Sequence, residues 1–436
     1  MNLHRVASEL SVLSKSAVRL VVPFMFGALL AGCGGDEQSD DVMPDGVTQD
    51  EIAQDDGVPD EVAPDEVAQD DIAPDDAVPD DVTCDAGAWG THAVGVKLLD
   101  LVDASRADRT LPTAVYYPAT GTLDGAACDA TYQDMDFLER YMAPTVCGTK
   151  DAALDLLSGA PYPVVVFSHG SGSFKEGHKY LYEYLVSHGY VVVAPDHTGN
   201  VGLGESEPED LYMTLTRELD LRFVIDHFTA LFAAAEGEFA GLGDADRLAV
   251  AGHSWGGHAA MALAGLEYNF ESVRQKCDQG EGYDKWYCAV TDVQEQIEAV
   301  PDSRVKAALT FANDAGHQMA VPDCKGASGI TIPYLQMVGD QDPYCDVQLD
   351  GWKCYEAEKG PACIVVFTGA GHLGYTDMMD EAGYDLHLLH QAVRAYSTAF
   401  LRAHLEGDAA CAASLATNDL ASSIGGSFTV KCRDAL

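Results

Sequence analysis

Continuous apolar runs alternate with amphipathic segments from about Cys84 to the end of the chain. Apolar runs without polar alternation are typical of strands buried on both faces of a sheet, and apolar residues spaced by three or four predict helices. Strands that alternate with helices predict one α/β domain over 84–436, with a mainly parallel sheet covered by helices on both faces. The predicted strands are 113–119, 162–170, 190–197, 247–254, 305–313, 332–340 and 363–372, and the predicted helices are 179–189, 215–232 and 386–405.

Residues 266–304 interrupt this alternation with polar, charged and aromatic residues and two cysteines. A long segment outside the regular pattern can be a lid or an insertion that shapes a substrate site. A surface excursion without such a role has the same pattern, so both interpretations stay open.

The first 33 residues have the pattern of an export signal. Positive residues come first, the short apolar run 20–30 follows, and the letters "LAGC" end the segment at Cys33. The apolar run is too short to span a bilayer comfortably. The ending resembles a bacterial lipoprotein box, which implies that Cys33 is lipidated and anchors an exported protein to a membrane of the bacterial cell envelope, on its periplasmic or cell-surface side. An ordinary secretory signal, with Cys33 as a bystander, is the alternative.

Residues 34–83 form an acidic tract of repeated pentads such as "VPDEV" and "APDDA". Dense like charge and few aromatic residues predict a disordered, extended linker. The linker explains much of the formal net charge of -45. The chain has no basic stripe that would neutralise phosphates, so we expect no nucleic-acid ligand.

The chain contains twelve cysteines, which suits an exported protein better than a cytosolic enzyme. Without Cys33 an odd number remains, so one thiol should stay free. A zinc site is the alternative, but no pair has the Cys-x-x-Cys spacing, and we expect no metal. Short separations favour four disulfides, although spacing does not fix connectivity. They are Cys128–Cys147, Cys277–Cys288, Cys345–Cys354 and Cys411–Cys432.

The letters "GHSWG" at 252–256 match the pattern Gly-x-Ser-x-Gly between a predicted strand and a segment of small residues. In such a strand-turn-helix context the serine sits in a strained turn, and the flanking glycines let strand and helix pass closely. The hydroxyl is then exposed at a helix N-terminus, where the helix dipole favours developing negative charge. The pattern predicts that Ser254 is a nucleophile. A glycine-rich structural turn is the alternative.

A serine nucleophile needs a base and a carboxylate that orients the base. His372 follows a late predicted strand between glycines and is the predicted base. Asp340 and Asp342 follow the strand before it, and Asp342 is preferred because the extra residues let its carboxylate reach back toward the imidazole. Asp314, after "ALTFAN", is a competitor.

An oxyanion hole needs two backbone donors. The amide that directly follows the nucleophile, that of Trp255, is the first predicted donor. The loop "SHGSG" at 168–172 follows an earlier strand, and its turn at His169 and Gly170 makes the amide of Ser171 the second predicted donor. We expect His169 to be a structural hydrogen-bonding residue rather than a second base.

The motifs "PVVVFSHGSGSF", "LVSHGYVVVAPDHTGN", "GHSWGG" and "GAGHLGYTD" resemble α/β-hydrolases of the platelet-activating-factor acetylhydrolase and dienelactone-hydrolase-like group. They are also similar to bacterial polyester hydrolases and cutinases. The resemblance covers most of 110–405 and implies a serine esterase. It implies Ser254 as nucleophile, His372 as base, and the amides of Ser171 and Trp255 as oxyanion hole.

The resemblance implies two different positions for the acid. In the polyester hydrolases the acid follows the strand that corresponds to 332–340, which favours Asp342. In the acetylhydrolases it follows the preceding strand, which favours Asp314. The true dienelactone hydrolases use a cysteine nucleophile, and Ser254 departs from that pattern.

The sequence predicts a secreted, lipid-anchored serine hydrolase that cleaves carboxylic esters through an acyl-enzyme, with no metal or organic cofactor. We expect a monomer acting on a small-molecule, lipid or polymeric ester. A catalytically silent surface lipoprotein that binds through the same scaffold is the alternative from another class. A metallohydrolase is less favoured, because His387 and His390 form no complete metal set.

Overall fold

The structure is a computed structural model that describes residues 83–202, 213–279, 284–313, 322–378, 382–417, 420 and 424–433. The predicted export signal, the predicted lipidation site Cys33, the predicted acidic linker except for residue 83, and Asp314 lie outside the described residues. No helix in the described ranges has both the length and the apolar character to span a membrane.

The described residues form a ten-stranded mixed sheet. The strands are β1 (His92–Asp103), β2 (Arg109–Thr122), β3 (Thr149–Lys150), β4 (Tyr162–Ser168), β5 (Val191–Pro195), β6 (Gly243–His253), β7 (Val305–Phe311), β8 (Tyr334–Gly339), β9 (Ala362–Phe367) and β10 (Phe428–Arg433). Their order is β10-β9-β8-β7-β6-β4-β5-β2-β1-β3. The pairings among β4 to β9 are parallel, as is that of β1 with β3. β1 with β2, β2 with β5, and β9 with β10 are antiparallel.

Helices cover both faces of the sheet. The α-helices are α1 (Gly125–Asp134), α2 (Phe137–Met142), α3 (Lys179–Ser187), α4 (Met213–Ala233), α5 (Trp255–Ala264), α6 (Phe270–Gln279), α7 (Asp284–Asp292), α8 (Gln294–Glu298), α9 (Lys353–Ala357), α10 (Leu386–Leu401) and α11 (Ala409–Thr417). Short 3₁₀ segments span Ala104–Arg106, Pro322–Gly329 and Leu373–Tyr375, and π-helical turns span Val347–Trp352 and Arg402–Glu406.

The central strands have a core on each side. Val164 and Val166 of β4 pack in a cluster with α4, α5 and α6, and Val165 and Phe167 pack in the opposite cluster with α3, α10 and α11. This explains why these strands are continuously apolar in the sequence. The fold is the predicted α/β arrangement, and the sheet order with its antiparallel β2 is that of an α/β-hydrolase.

The sheet also determines where a site can form. β4 lies between β5 and β6, so the chain moves one way from β4 to β5 and then returns across β4 to β6. The loops that leave the carboxyl ends of β4 and β6 therefore lie at a reversal of strand order, where open parallel sheets place their ligand sites.

All seven predicted strands and all three predicted helices are confirmed, within a few residues at their ends. β1, β10 and the two-residue β3 were not predicted from the sequence. β3 is too short to give a pattern, and β1 and β10 have another reason. Both lie toward the edges of the sheet and carry exposed or half-exposed polar positions, such as Asp100 and Lys431, so they lack a continuous apolar run. In 266–304 the described residues form α6, α7 and α8, and a short connection then leads to β7.

Two predicted disulfides, Cys128–Cys147 and Cys277–Cys288, are confirmed. Both join cysteines that are close in sequence, at separations of 19 and 11 residues. Disulfides rather than a cysteine-based zinc site are therefore the chemistry of these four residues.

The predicted disulfides Cys345–Cys354 and Cys411–Cys432 are wrong. Cys432 pairs directly with Cys363 in the register of β9 and β10, so the sheet decides its partner. Cys345 is buried and lies outside the disulfides, as the odd count requires of one cysteine. Its place in the loop after β8 turns its sulfur toward Ala312 and His372. The observed pairs are Cys84–Cys411, Cys324–Cys354 and Cys363–Cys432.

Candidate active site

Ser254 occupies the turn between β6 and α5. Its backbone angles are φ 55° and ψ -124°, a combination that residues other than glycine rarely adopt. Its amide donates to the carbonyl oxygen of Phe311 at 2.9 Å, and its own carbonyl accepts from the amide of His258 at 3.1 Å. The strained turn is thus anchored on both sides, and Ser254 remains 9% exposed.

The glycines of the motif allow close backbone packing. A Cβ atom on Gly252 would lie 2.1 Å from the carbonyl oxygen of Gly256, and a Cβ on Gly256 would lie 2.0 Å from the carbonyl oxygen of Ser168. Non-bonded atoms do not approach this closely, so a side chain at either position would force the backbone to move. The first turn of α5 therefore packs directly against the end of β4.

His372 and Asp342 form a hydrogen-bonded pair. Nδ1 of His372 lies 2.7 Å from Oδ2 of Asp342, and both side chains are almost completely buried. Oδ1 of Asp342 accepts from the backbone amides of Tyr344 and Cys345, at 2.8 and 3.0 Å. The carboxylate is thus fixed on one side by the backbone and on the other by the imidazole.

The two other candidate acids are placed differently. Oδ1 of Asp340 accepts from the amide of Gly369 at 2.7 Å, so this carboxylate holds the loop after β9. Asp314 lies outside the described residues. Of the described candidate acids, Asp342 is the one that contacts the imidazole of His372.

His253 connects the nucleophile turn to the histidine loop, a contact that the sequence analysis did not anticipate. Its Nε2 lies 3.0 Å from the carbonyl oxygen of His372, and the two imidazole centroids are 4.8 Å apart. Burial lowers the pKa of His253 to about 3, so the ring is neutral and its Nε2–H donates to that carbonyl. His372 is thereby held beside the residue that precedes Ser254. The variable position before the serine in the motif is the only sequence signal for this role.

Cys345 places its sulfur 3.8 Å from Nδ1 of His372 and 3.3 Å from the carbonyl oxygen of Ala312. Donor atoms of Asp342, Cys345 and His372 lie within 4.8 Å of one another, so this trio could ligate a metal ion. Nδ1 and Oδ2 are, however, already joined by the short hydrogen bond described above, which a metal would have to replace.

The loop after β4 packs against the nucleophile turn. A Cβ on Gly170 would lie 3.3 Å from the Cβ of Ser254 and 2.8 Å from Nδ1 of His253. Neither the amide of Ser171 nor that of Trp255 donates a hydrogen bond to another described residue. Trp255 adjoins Ser254 in sequence, and Ser171 follows Gly170, the residue that packs against Ser254.

His169 lies in the same loop and makes two hydrogen bonds. Its Nε2 accepts from the amide of His197 at 3.1 Å, and its Nδ1 lies 2.7 Å from the carbonyl oxygen of Gly170. Burial, together with the nearby charge of Arg217, holds the pKa of His169 well below its usual range. The neutral ring is engaged at both nitrogens, which is the structural role expected for it.

His387 and His390 make contacts within their own region. Nε2 of His390 lies 3.1 Å from the carbonyl oxygens of Gly374 and Thr376, and Nε2 of His387 lies 2.9 Å from the amide nitrogen of Gln391. In the part of the chain that the structure describes, these histidines belong to no group that could hold a metal.

Two family models match the chain over this region. The model described as Chlorophyllase matches residues 157–274, and the model described as Platelet-activating factor acetylhydrolase, isoform II, matches residues 88–203. The first match includes the nucleophile turn, and both include the loop after β4.

Individual proteins give a partial similarity. The chain is 33% identical over 106 residues to chlorophyllase type 0 of Chenopodium album, a match that covers 24% of this chain and 28% of that protein. The chain thus matches little more than a quarter of that relative's length. A ferulic acid esterase from Streptomyces cinnamoneus has a solved structure with a TM-score of 0.48 and 23% identity, covering 72% of this chain and 91% of that chain.

The family matches and the sheet order have a joint consequence. The order of strands identifies the fold, and the match over 88–203 includes two of the four motifs that carried the sequence resemblance, "PVVVFSHGSGSF" and "LVSHGYVVVAPDHTGN". The predicted α/β-hydrolase fold and the resemblance to the platelet-activating-factor acetylhydrolases are thereby confirmed.

Proposed function

We propose that this protein hydrolyses carboxylic esters through a serine nucleophile, Ser254. The observation that carries the proposal is the strained backbone of Ser254, at φ 55°, in a turn held beside the hydrogen-bonded pair of His372 and Asp342. Strain at a single buried turn is typical of a functional position. The family matches to two groups named for hydrolases support ester chemistry in general.

In the proposed reaction, the Ser254 hydroxyl attacks the ester carbonyl carbon while Nε2 of His372 takes its proton. The carbonyl oxygen becomes an oxyanion and accepts hydrogen bonds from the amides of Ser171 and Trp255. When the intermediate collapses, the alcohol leaves with the proton held by His372. Water then attacks the acyl-enzyme in the same way, the acid leaves, and Ser254 recovers its proton.

Asp342 keeps the imidazole in the required state. Its Oδ2, at 2.7 Å from Nδ1 of His372, accepts a hydrogen bond from Nδ1–H, which keeps the proton on Nδ1 and leaves Nε2 free to act as base. The negative charge also stabilises the imidazolium that forms in each step. The proposed mechanism needs no metal and no organic cofactor.

We further propose the cellular setting expected from the sequence. Residues 1–33 would direct export, Cys33 would carry the lipid anchor, 34–83 would be a linker, and 84–436 would be the catalytic domain, acting as a monomer on a small-molecule, lipid or polymeric ester. Replacing Cys33 by Ala tests the anchor: the protein should move from the membrane fraction to the soluble fraction of cells that express it.

The experiment that tests the function is Ser254→Ala, assayed with a short-chain aryl ester and with a fluorophosphonate that labels activated serines. The variant should lose hydrolysis and labelling while it keeps its melting temperature, and Ser303→Ala, at an exposed position, should behave like the parent. Hydrolysis retained by the folded Ser254→Ala variant would overturn the proposal. A parent protein that neither hydrolyses a panel of acetyl to long-chain esters nor reacts with the probe would favour the binding lipoprotein.

A further inference from the structure

Arg217 is buried beneath the loop that carries the proposed oxyanion donor. It lies in α4, is 1% exposed, and directs its guanidinium at two consecutive backbone carbonyls. Its Nη1 donates to the carbonyl oxygen of His169 at 2.5 Å, and its Nη2 donates to that of Gly170 at 3.2 Å. A planar, forked donor of this kind fixes two acceptors in one geometry.

These contacts determine where the neighbouring amides point. In a trans peptide the C=O and N–H bonds point in opposite directions. The carbonyl of Gly170 and the N–H of Ser171 belong to the same peptide group, so a carbonyl held toward Arg217 turns the Ser171 N–H away from it. The Gly170 backbone itself packs against Ser254, where an added Cβ would be 3.3 Å from the serine Cβ.

A second connection reaches the same residue through a side chain. Nη2 of Arg217 donates to Oδ1 of Asn200, and Nδ2 of Asn200 donates to the hydroxyl of Ser171 at 3.1 Å. Asn200 is also buried, and its amide donates to the carbonyl oxygen of His197 at 2.8 Å. Ser171 is thus held through its own side chain and through the preceding carbonyl, and both links lead to Arg217. The Gly170 carbonyl also accepts from Nδ1 of His169 at 2.7 Å and from the amide of Ser173 at 3.2 Å, so Arg217 acts on it together with its own loop.

The charge of Arg217 is not used in an ion pair within the described residues. Its partners are the two carbonyls, the amide of Asn200 and, at 3.4 Å, the hydroxyl of Ser168. The nearby carboxylate of Asp220 is bound instead by Arg106, Arg109 and His197. A buried charge without a paired carboxylate is costly to keep for packing alone, because an apolar residue of similar size would be cheaper to bury.

We propose that Arg217 is a positioning residue of the oxyanion hole: it aims the Ser171 amide at the substrate carbonyl and, through its positive charge, makes that amide a stronger donor. This inference rests on the proposed ester hydrolysis by Ser254. The effect belongs to the transition state, because negative charge develops on the carbonyl oxygen only there. Ground-state binding of the ester should change little.

The test compares Arg217→Met with Arg217→Lys, using steady-state kinetics on an aryl ester and inhibition by phenylboronic acid. Boronic acids add to a nucleophilic serine and place an oxygen where the oxyanion forms. Loss of one oxyanion donor lowers kcat about 10²–10³-fold, so misalignment of one donor in Arg217→Met should lower kcat roughly 10- to 100-fold. KM should stay within about threefold, the boronate Ki should rise by the same factor as kcat/KM falls, and Arg217→Lys should recover part of the loss.

Arg394→Met is the matched control. Arg394 is 4% exposed and lies in α10 on the other side of the sheet, where its guanidinium is 5.1 Å from the ring of Trp89 and 4.9 Å from that of Tyr184. This variant removes an equally buried guanidinium and should lower the melting temperature while leaving kcat and the boronate Ki unchanged.

A folded Arg217→Met variant with kcat and boronate Ki within threefold of the parent would overturn the inference and leave the proposed function intact. Activity retained in Ser254→Ala would instead remove the proposed function itself. If Arg217→Met does not fold, Asn200→Ala decides the question, since it removes the bridge from Arg217 to the Ser171 hydroxyl and leaves the bonds from Arg217 to the carbonyls of His169 and Gly170 in place. A drop in kcat and boronate affinity of about tenfold supports the inference, and unchanged values contradict it.

Discussion

Replacing Asp342 by Asn changes one carboxylate oxygen into an amide nitrogen and leaves the shape of the side chain almost unaltered. Oδ1 of Asp342 accepts from the amides of Tyr344 and Cys345, at 2.8 and 3.0 Å, and Oδ2 lies 2.7 Å from Nδ1 of His372. Only an oxygen can accept those two backbone bonds. The amide oxygen of the asparagine must therefore stay at the Oδ1 position, and its NH₂ group must face His372.

The size of the effect follows from this orientation. An amide that donates to Nδ1 forces the ring proton onto Nε2, the nitrogen that has to accept the Ser254 proton. The flipped asparagine would leave two buried backbone donors unsatisfied, at about 1–3 kcal/mol each. The tautomer with its proton on Nδ1, in which Nε2 can act as base, should therefore make up between roughly one part in thirty and one part in 10⁴ of the variant molecules. In the serine-protease triad the corresponding change lowers kcat about 10⁴-fold, at the upper end of this range.

The assay is kcat on a short-chain aryl ester, with melting temperature as a measure of folding. Asp342→Asn should lower kcat by about 30- to 10⁴-fold and change the melting temperature only slightly, while Asp314→Asn should stay within a few-fold of the parent. A folded Asp342→Asn variant within tenfold of the parent would refute the reasoning, and a large loss in Asp314→Asn alone would assign the acid to that residue.

Three further predictions concern packing, protonation and covalent constraint. Gly256→Ala would put a methyl group 2.0 Å from the Ser168 carbonyl oxygen, so urea unfolding should show a loss of at least about 1–3 kcal/mol, and ester hydrolysis should fall. Burial raises the pKa of Glu218 to about 8, so this group stabilises the fold fully below its unfolded value of 4.5 and loses that contribution as pH rises toward 8. In urea unfolding, the free energy of unfolding of the parent should fall with pH by about 1.4 kcal/mol per pH unit more than that of Glu218→Gln. Parallel plots of unfolding free energy against pH for the two proteins would contradict this. Replacing both Cys363 and Cys432 by Ser opens a loop of sequence separation 69 and should cost about 4 kcal/mol of stability, with little change in kcat at 25 °C.

The parts of the fold that the sequence predicts are those decided by local contacts. Gly252 and Gly256 are required because a Cβ at either position would lie only about 2 Å from a backbone oxygen. Both glycines belong to the five-residue motif, so the sequence shows this requirement directly. The central strands are likewise visible, because burial on both faces demands an unbroken apolar run. Neither inference needs knowledge of how distant segments meet.

The disulfide partners show the opposite case. Cys411 pairs with Cys84 at a sequence separation of 327, and Cys432 pairs with Cys363 only because β10 adds to the sheet in one register. Sequence separation alone favoured bonding Cys411 to Cys432. Edge pairing and the packing of chain ends depend on the completed sheet, so no local pattern could have indicated these bonds.

Arg217 was missed for a different reason, although a signal exists. In the predicted helix the apolar positions Leu221, Val224 and Phe228 follow Arg217 by 4, 7 and 11 residues, so the arginine lies on the buried stripe. A charged residue on such a stripe is rarely there for packing alone. What the sequence could not supply is its partner, because the loop at 168–172 reaches it only after β4 and α4 pack together.

The nucleophile turn and the oxyanion loop are held in register by backbone packing. Gly256 lies against the carbonyl of Ser168, Gly170 lies against Ser254, and Arg217 holds the carbonyls of the same loop from below. Preorganised donors stabilise a developing charge because they need no rearrangement during the reaction. Two costly features are thus concentrated within one contact region: a strained serine, and a buried arginine that has no carboxylate partner among the described residues. That concentration is the pattern expected when the surrounding core stabilises a site that would be unfavourable by itself.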